Sequence, residues 1–282
     1  METTKASWKY LNMTSIPLIV AFPIQESDGP KSIEVARSWG LALDAPVCLF
    51  VNQPSPKLCS LLAESGLKTV DLGLQTHVNR YNPSITPAIP WDPWGFKSGP
   101  NRDFFRILDY CSHLGSGWIL LAEPDLIPTE YDLKDRVSSL LTGFSEQWVI
   151  GSQNTTLALE KLDRRLHDHI NGAAFYNTKS LDFVRFRRSV WIPSLISLIR
   201  NFPFYAYDCV NATEIWDLLP QRLASEWKIY SERFISVPQM INQSNIWINE
   251  TERDQLVRRL RRNLGISIHA KVGDEMRAFK NS

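Results

Sequence analysis

A chain of 282 residues, 44% hydrophobic and 22% charged, has the balance of an ordinary globular protein and not of a disordered one. At this length about three quarters of the unfolded surface can be buried, so one large core needs no disulfide or metal staple. The net charge of +1 supplies no general attraction to nucleic acid, so any anion site has to be local. Cys48, Cys59, Cys111 and Cys209 are widely spaced and form no C-x-x-C pair, which argues against a zinc knuckle or a thioredoxin-type motif. Four buried free thiols in a reducing compartment are expected.

The elements alternate along the chain. Ile16 to Ile24 is a short apolar run interrupted by Pro17 and Pro23, with neither the basic flank nor the cleavage site of a secretory leader, and reads as a first buried strand. A cytoplasmic protein is therefore expected. Ser32 to Leu43 has helical spacing through Ile33, Ala36, Trp39 and Leu43. Val47 to Val51 is a second strand, ended by the turn-forming Asn52, Gln53 and Pro54. Leu58 to Ser65 reads as a helix stopped by Gly66, and Lys68 to Leu72 as a third strand. The proline-rich stretch from Tyr81 to Pro100 reads as a long binding loop or lid. A helix is expected from Asn101, as N-cap, carrying Phe104, Leu108 and Cys111 on one face and stopping near Gly115 or Gly117. Trp118 to Ala122 and Trp148 to Gly151 are further buried strands. The alternation predicts an α/β fold with a mostly parallel central sheet flanked by helices. One domain, 1–282, is expected, with a nucleotide-binding half over roughly 16–130, an acceptor-binding half over 131–250, and a C-terminal helix and tail over 251–282.

The central strand runs directly into Glu123-Pro124-Asp125. In an extended segment residues two apart point to the same side, so both carboxylates are expected to converge beyond the strand's carboxyl end. Open α/β sheets bind ligands there. Such a pair suits a hard cation, Mn²⁺ or Mg²⁺, that bridges protein to phosphate oxygens. The plainer alternative is two acids capping a strand in a turn with Pro124 and Pro128.

Strand, Glu-Pro-Asp and Ile127-Pro128 together resemble the D-x-D region of GT-A glycosyltransferases, in a variant with Glu first. Gly95-Phe-Lys-Ser-Gly-Pro-Asn101 upstream, and Trp148-Val-Ile-Gly-Ser152, His169-Ile-Asn-Gly-Ala-Ala-Phe-Tyr176 and Phe204-Tyr-Ala-Tyr-Asp-Cys209 downstream, follow the same family's order. The resemblance covers roughly residues 16 to 240. It implies a GT-A (Rossmann-like) fold, a nucleotide-diphosphate sugar as donor, and a glycan or other hydroxyl as acceptor. It implies Asp125 as principal metal ligand, helped by Glu123 and His269; Glu123 acts directly, through water, or on the ribose.

Lys97, Asn101 and Arg102 sit at a helix start, a natural phosphate site, and the resemblance gives Lys97 the diphosphate; a solvated loop lysine is the alternative. By the same resemblance Asn171 and Gly172 line the pocket between donor sugar and acceptor, in a stretch that reads as a strand after a tight turn. His167 and His169 share one side if extended, but no third ligand lies nearby for a metal pair. Asp208 is an ordinary N-cap or, by resemblance to inverting members, the general base. His269 and Lys271 loosely match the family's late metal histidine and phosphate-facing lysine, against a plain surface segment. Arg253, Arg258, Arg259, Arg261 and Arg262 make Glu252 to Asn263 a basic helix with Leu256, Val257 and Leu260 as its apolar stripe. That helix packs on the core, or contacts an anionic membrane surface or a lipid-linked acceptor.

The sequence thus favours a metal-dependent transfer from a nucleotide sugar to a hydroxyl, inverting if Asp208 is the base and open to a retaining course if Asp208 is only a cap. A non-catalytic carbohydrate- or nucleotide-binding protein of similar fold is the alternative. A sugar-phosphate nucleotidyltransferase would need a glycine-rich basic loop after the first strand, where Pro23 to Gly29 is acidic.

Overall fold

The computed structural model describes residues 17–25, 29–74, 98–152, 170, 172–190, 221–248 and 250–272, with backbone alone at 98–101, 190, 221–224, 242–248, 250 and 268–272. Seven strands form the main sheet: β1 (Leu18–Pro23), β2 (Val47–Val51), β3 (Lys68–Asp71), β4 (Trp118–Leu121), β6 (Val149–Gly151), β7 (Phe175–Asn177) and β8 (Phe234–Ser236). Their order is β3-β2-β1-β4-β7-β6-β8. All pairings are parallel except those of β7, which runs antiparallel to both β4 and β6. The sheet is therefore mostly parallel, as the alternation of elements implies.

Helices cover both faces. On one lie α1 (Gly29–Leu43), α2 (Pro56–Ser65) and α4 (Lys134–Gly143), packed through Trp39, Leu58, Leu62, Val137 and Leu141. On the other lie α3 (Ser98–His113), α5 (Leu181–Val190) and α6 (Gln221–Lys228), through Phe105, Leu108, Phe183, Phe186 and Trp227. Strands buried on both sides read as unbroken apolar runs, which is why β2 and β4 are apolar throughout and wholly buried. Helix α2 is bounded as its sequence dictates. The Ser55 hydroxyl accepts from Leu58 N at 3.2 Å, and Gly66 takes the left-handed φ of 68°.

A second sheet, in the order β5-β10-β9, is made from β5 (Leu126–Pro128), β9 (Met240–Ile248) and β10 (Ser267–Val272). Leu126, Met240 and Ile266 join the core on the α1 side. Ile127 and Ile241 meet α7 (Glu250–Arg262) through Leu256, Val257 and Leu260.

Three expectations need correcting. Helix α3 starts at Ser98, so Asn101 is inside its first turn and not its N-cap, and residues 98–100 are helical and not loop; the rest of the expected loop, 81–97, lies outside the described residues. Pro100 is compatible with a first turn, whose N–H groups lack helical acceptors anyway. Residues 172–174 bend before the strand proper begins at Phe175, with Tyr176 Oη donating to Gly172 O at 2.7 Å across the bend. Cys48 and Cys111 are buried free thiols, but Cys59 is exposed on α2; Cys209 lies outside the described residues.

Candidate functional site

The strand order sets where a ligand can enter. From β1 the chain steps to β2 and β3 on one side, then crosses through α3, on the opposite face from α1, to β4 on the other side of β1. The connections part between β1 and β4, and such a switch point leaves a crevice outside the strands' carboxyl ends. Glu123 and Asp125 follow β4 directly at this point, both half-buried.

The acidic segment is a turn and not an extended strand. Leu126 N donates to Glu123 O at 2.9 Å, so Glu123 to Leu126 close a four-residue β-turn with Pro124 at its second position. Asp125 has no positive φ, which fits a type I geometry and excludes type II. Proline's fixed φ suits that second position, and it is why the pair leaves the strand direction. The turn is clamped from both ends. Ala122 N donates to Ala21 O at 2.9 Å, continuing the β1–β4 ladder to the turn's entrance. At its exit the fully buried Trp39 of α1 donates its indole N–H to Leu126 O at 2.7 Å.

Beyond the turn, β5 pairs antiparallel with β10, in the register Leu126 opposite His269, Ile127 opposite Ile268 and Pro128 opposite Ser267. The backbone of His269 is thereby set beside the residue that follows Asp125. Thr129 extends the pairing: its N–H donates to Ile266 O at 3.0 Å, and its hydroxyl donates to Gly265 O at 2.7 Å. Lys271 lies two residues further along β10, opposite Trp247 of β9. Gly172 is brought to the same edge, because Leu121 N donates to Ala174 O at 3.0 Å. Gly151, at the carboxyl end of β6, borders it: a Cβ there would sit 2.3 Å from Ile170 Cγ2 and 2.9 Å from Ala174 Cβ. Only a glycine lets that strand end pack so closely.

The α3 N-terminus faces this edge too. Asn52, directly after β2, donates to Asp103 Oδ1 at 2.7 Å and accepts from Leu74 N at 3.3 Å. Asp103 is buried. Arg106 donates to Leu72 O. No acid occupies the first turn of α3, so no carboxylate of that turn offsets its positive end. The Asn52–Asp103 brace was missed by sequence reasoning, which took Asn52 for a turn-former. The available signal was a carboxylate beside the apolar face of α3, since a buried acid demands a donor. Lys97, Asn171, Asp208, His167 and His169 lie outside the described residues, and Asn101, His269 and Lys271 are described by backbone only. Among the described residues no cluster of three histidine, cysteine or acidic side chains is arranged to hold a metal ion.

No family model matches the sequence, and no curated protein resembles it. Among solved structures the chain is similar to Staphylococcus aureus TarS, with 10% identity and a TM-score of 0.38 over 60% of this chain and 29% of that one. It is similar to the Mycobacterium tuberculosis glucosyl-3-phosphoglycerate synthase solved with Mn²⁺, UDP and phosphoglyceric acid, with 15% identity and a TM-score of 0.36, over 57% of this chain and 56% of that one. It is also similar to the Mn/GDP form of core-mannan synthase A from Aspergillus fumigatus, with 6% identity and a TM-score of 0.44, over 73% and 71% of the two chains. The chain thus spans well under two thirds of the first two. Likeness at this level does not reach to activity.

Proposed function

We propose that this protein is a glycosyltransferase of GT-A type, moving a sugar from a nucleotide-diphosphate donor to the hydroxyl of a glycan or similar acceptor. One observation carries the reading: a Glu-Pro-Asp turn held at the carboxyl end of β4, at the switch point, with the backbone of His269 registered against the residue after Asp125. Two carboxylates and an imidazole form a donor set that fits Mn²⁺ or Mg²⁺. In this reading Asp125 and Glu123 hold the cation with His269, and Glu123 alternatively meets the ribose. When bound, that cation neutralises charge on the departing nucleoside diphosphate.

The rest is assigned to the chain's own residues. The α3 N-terminus, with Lys97 before it and Asn101 in its first turn, takes the phosphates, because unpaired N–H groups and the helix dipole favour an anion there. Lys271 supplies a second cation. Asn171 and the backbone at Gly172 meet sugar hydroxyls, where the absence of a side chain permits close approach. Asp208 takes the acceptor hydroxyl's proton in an inverting displacement.

The first test is a thermal-shift titration of nucleoside diphosphates and their sugars with and without Mn²⁺. A metal-dependent rise with one nucleotide is expected, of about 2.7 kcal/mol at a hundredfold excess over Kd. Asp125→Ala should weaken that binding about a hundredfold, ~2.7 kcal/mol, while leaving the unliganded protein folded. Hydrolysis or transfer of the sugar then separates an enzyme from a binding protein of the same fold. No shift with any nucleotide overturns the reading.

A further inference from the structure

The basic character of α7 takes on a different meaning once its packing is seen. Its apolar stripe is consumed by the second sheet, so the helix cannot lie on a membrane through Leu256, Val257 and Leu260. Among the exposed side chains at its carboxyl end are Arg258, Arg259, Arg261, Arg262 and, just past the helix, Leu264. Leu264 is 62% exposed and holds a φ of 57°. A left-handed leucine is disfavoured by about 1–2 kcal/mol, and a glycine there would carry no such strain. Folding gains little from an apolar side chain kept in water in a strained conformation.

The cations are likewise unspent. Among the described residues none of Arg258, Arg259 and Arg262 has a carboxylate partner. Asp254, one turn before Arg258, is taken by Arg253. Glu130 is taken by Arg136, and Arg261 donates to Thr129 O. Arg258 and Arg262, four apart, repel one another. Asp132 and Asp135 lie close to Lys134, which pairs with Asp44.

We infer that this end of α7 docks on an anionic lipid bilayer. Arg258, Arg259 and Arg262 meet headgroup phosphates while Leu264 enters the interface. A soluble polyanion would satisfy the arginines but leave Leu264 in water, whereas a bilayer accepts the arginines and the leucine together. This docking is independent of the transfer reading.

The test is sedimentation of the full chain with phosphatidylcholine vesicles and with vesicles also carrying phosphatidylserine, at low and high salt. Binding is expected only with phosphatidylserine, and it should weaken with salt. The R258Q/R259Q/R262Q variant should bind about a hundredfold more weakly, at ~1 kcal/mol per arginine near such a surface. Leu264→Gly should bind about fivefold more weakly with an unchanged or raised Tm, which separates docking from folding. Equal binding to both vesicle types, or none, overturns the proposal, as does a triple-arginine variant that binds like the native chain. Native vesicle affinity in Leu264→Gly, together with tight heparin binding, would assign the surface to a soluble polyanion instead. Nucleotide binding by the arginine variant should be intact, so failure here and failure of the transferase reading remain distinguishable.

Discussion

In the seven-stranded sheet, β2 and β4 are buried along their whole length between two layers of helices, whereas among the described residues the far face of the three-stranded sheet meets one helix, α7, through Leu256, Val257 and Leu260. The acidic turn joins the two. Glu123 is continuous with the β1–β4 ladder, while the residues after Asp125 run into the sheet that also carries His269, whose far face among the described residues packs on one helix. A site assembled across such a junction has one rigid wall and one that can adjust, and local opening is cheaper where fewer apolar contacts must separate. Ligand binding is expected to order the second wall more than the first.

The largest effect is expected from cutting the tie that holds the turn to the rigid side. Trp39→Ala should destabilise the protein by about 3–5 kcal/mol in denaturant unfolding, since it empties a fully buried site and orphans Leu126 O. Trp39→Phe should lose less, and its nucleotide affinity should fall further than its stability does.

A paired glycine experiment compares the walls directly. A Cβ at Gly151 meets Ile170 and Ala174, both buried in the main core, while one at Gly265 meets Leu260 on α7. Gly151→Ala should cost about 2–3 kcal/mol and Gly265→Ala about 1 kcal/mol, because the thinner layer can shift. Equal losses would show the second sheet to be as rigid as the first. Thr129→Val should cost about 1 kcal/mol by removing the hydroxyl bond to Gly265 O. Its signature is faster amide exchange confined to β5 and β10.

A further effect appears only at alkaline pH and is absent near neutrality. Burial pushes the Cys111 thiol up to about 12 and raises that of Cys48 as well. A folded pKa above the unfolded one contributes stability that is complete below about pH 9 and is lost as pH rises toward 12. Stability should therefore fall above pH 9 by at most ~1.4 kcal/mol per pH unit for each thiol. Cys111→Ala should flatten that slope.

Much of the main sheet was legible in the sequence. Val47–Val51 matches β2 residue for residue, and Gly66 stops α2, because continuous apolar runs and a left-handed stop are local signals. The turn geometry at Glu123 was hidden by an extended reading of a segment whose Pro124 favours bending. The start of α3 was misjudged because Ser98-Gly99-Pro100 has no periodicity to mark it. Cys59 was placed inside although its helix buries Leu58 and Leu62 and leaves that side exposed.

What the sequence determined by itself is the alternation of buried strands with amphipathic helices, and the placing of two carboxylates just past the most apolar strand. Those follow from residue type and spacing within a few turns of chain. What only the tertiary structure decided is the reversal of β7, the second sheet, and the meeting of His269 with the strand after Asp125. It also decided that the stripe of α7 faces protein while three arginines and Leu264 face outward. Each of these depends on a pairing between segments far apart in the chain, where register is chosen by the burial it achieves and not by local propensity.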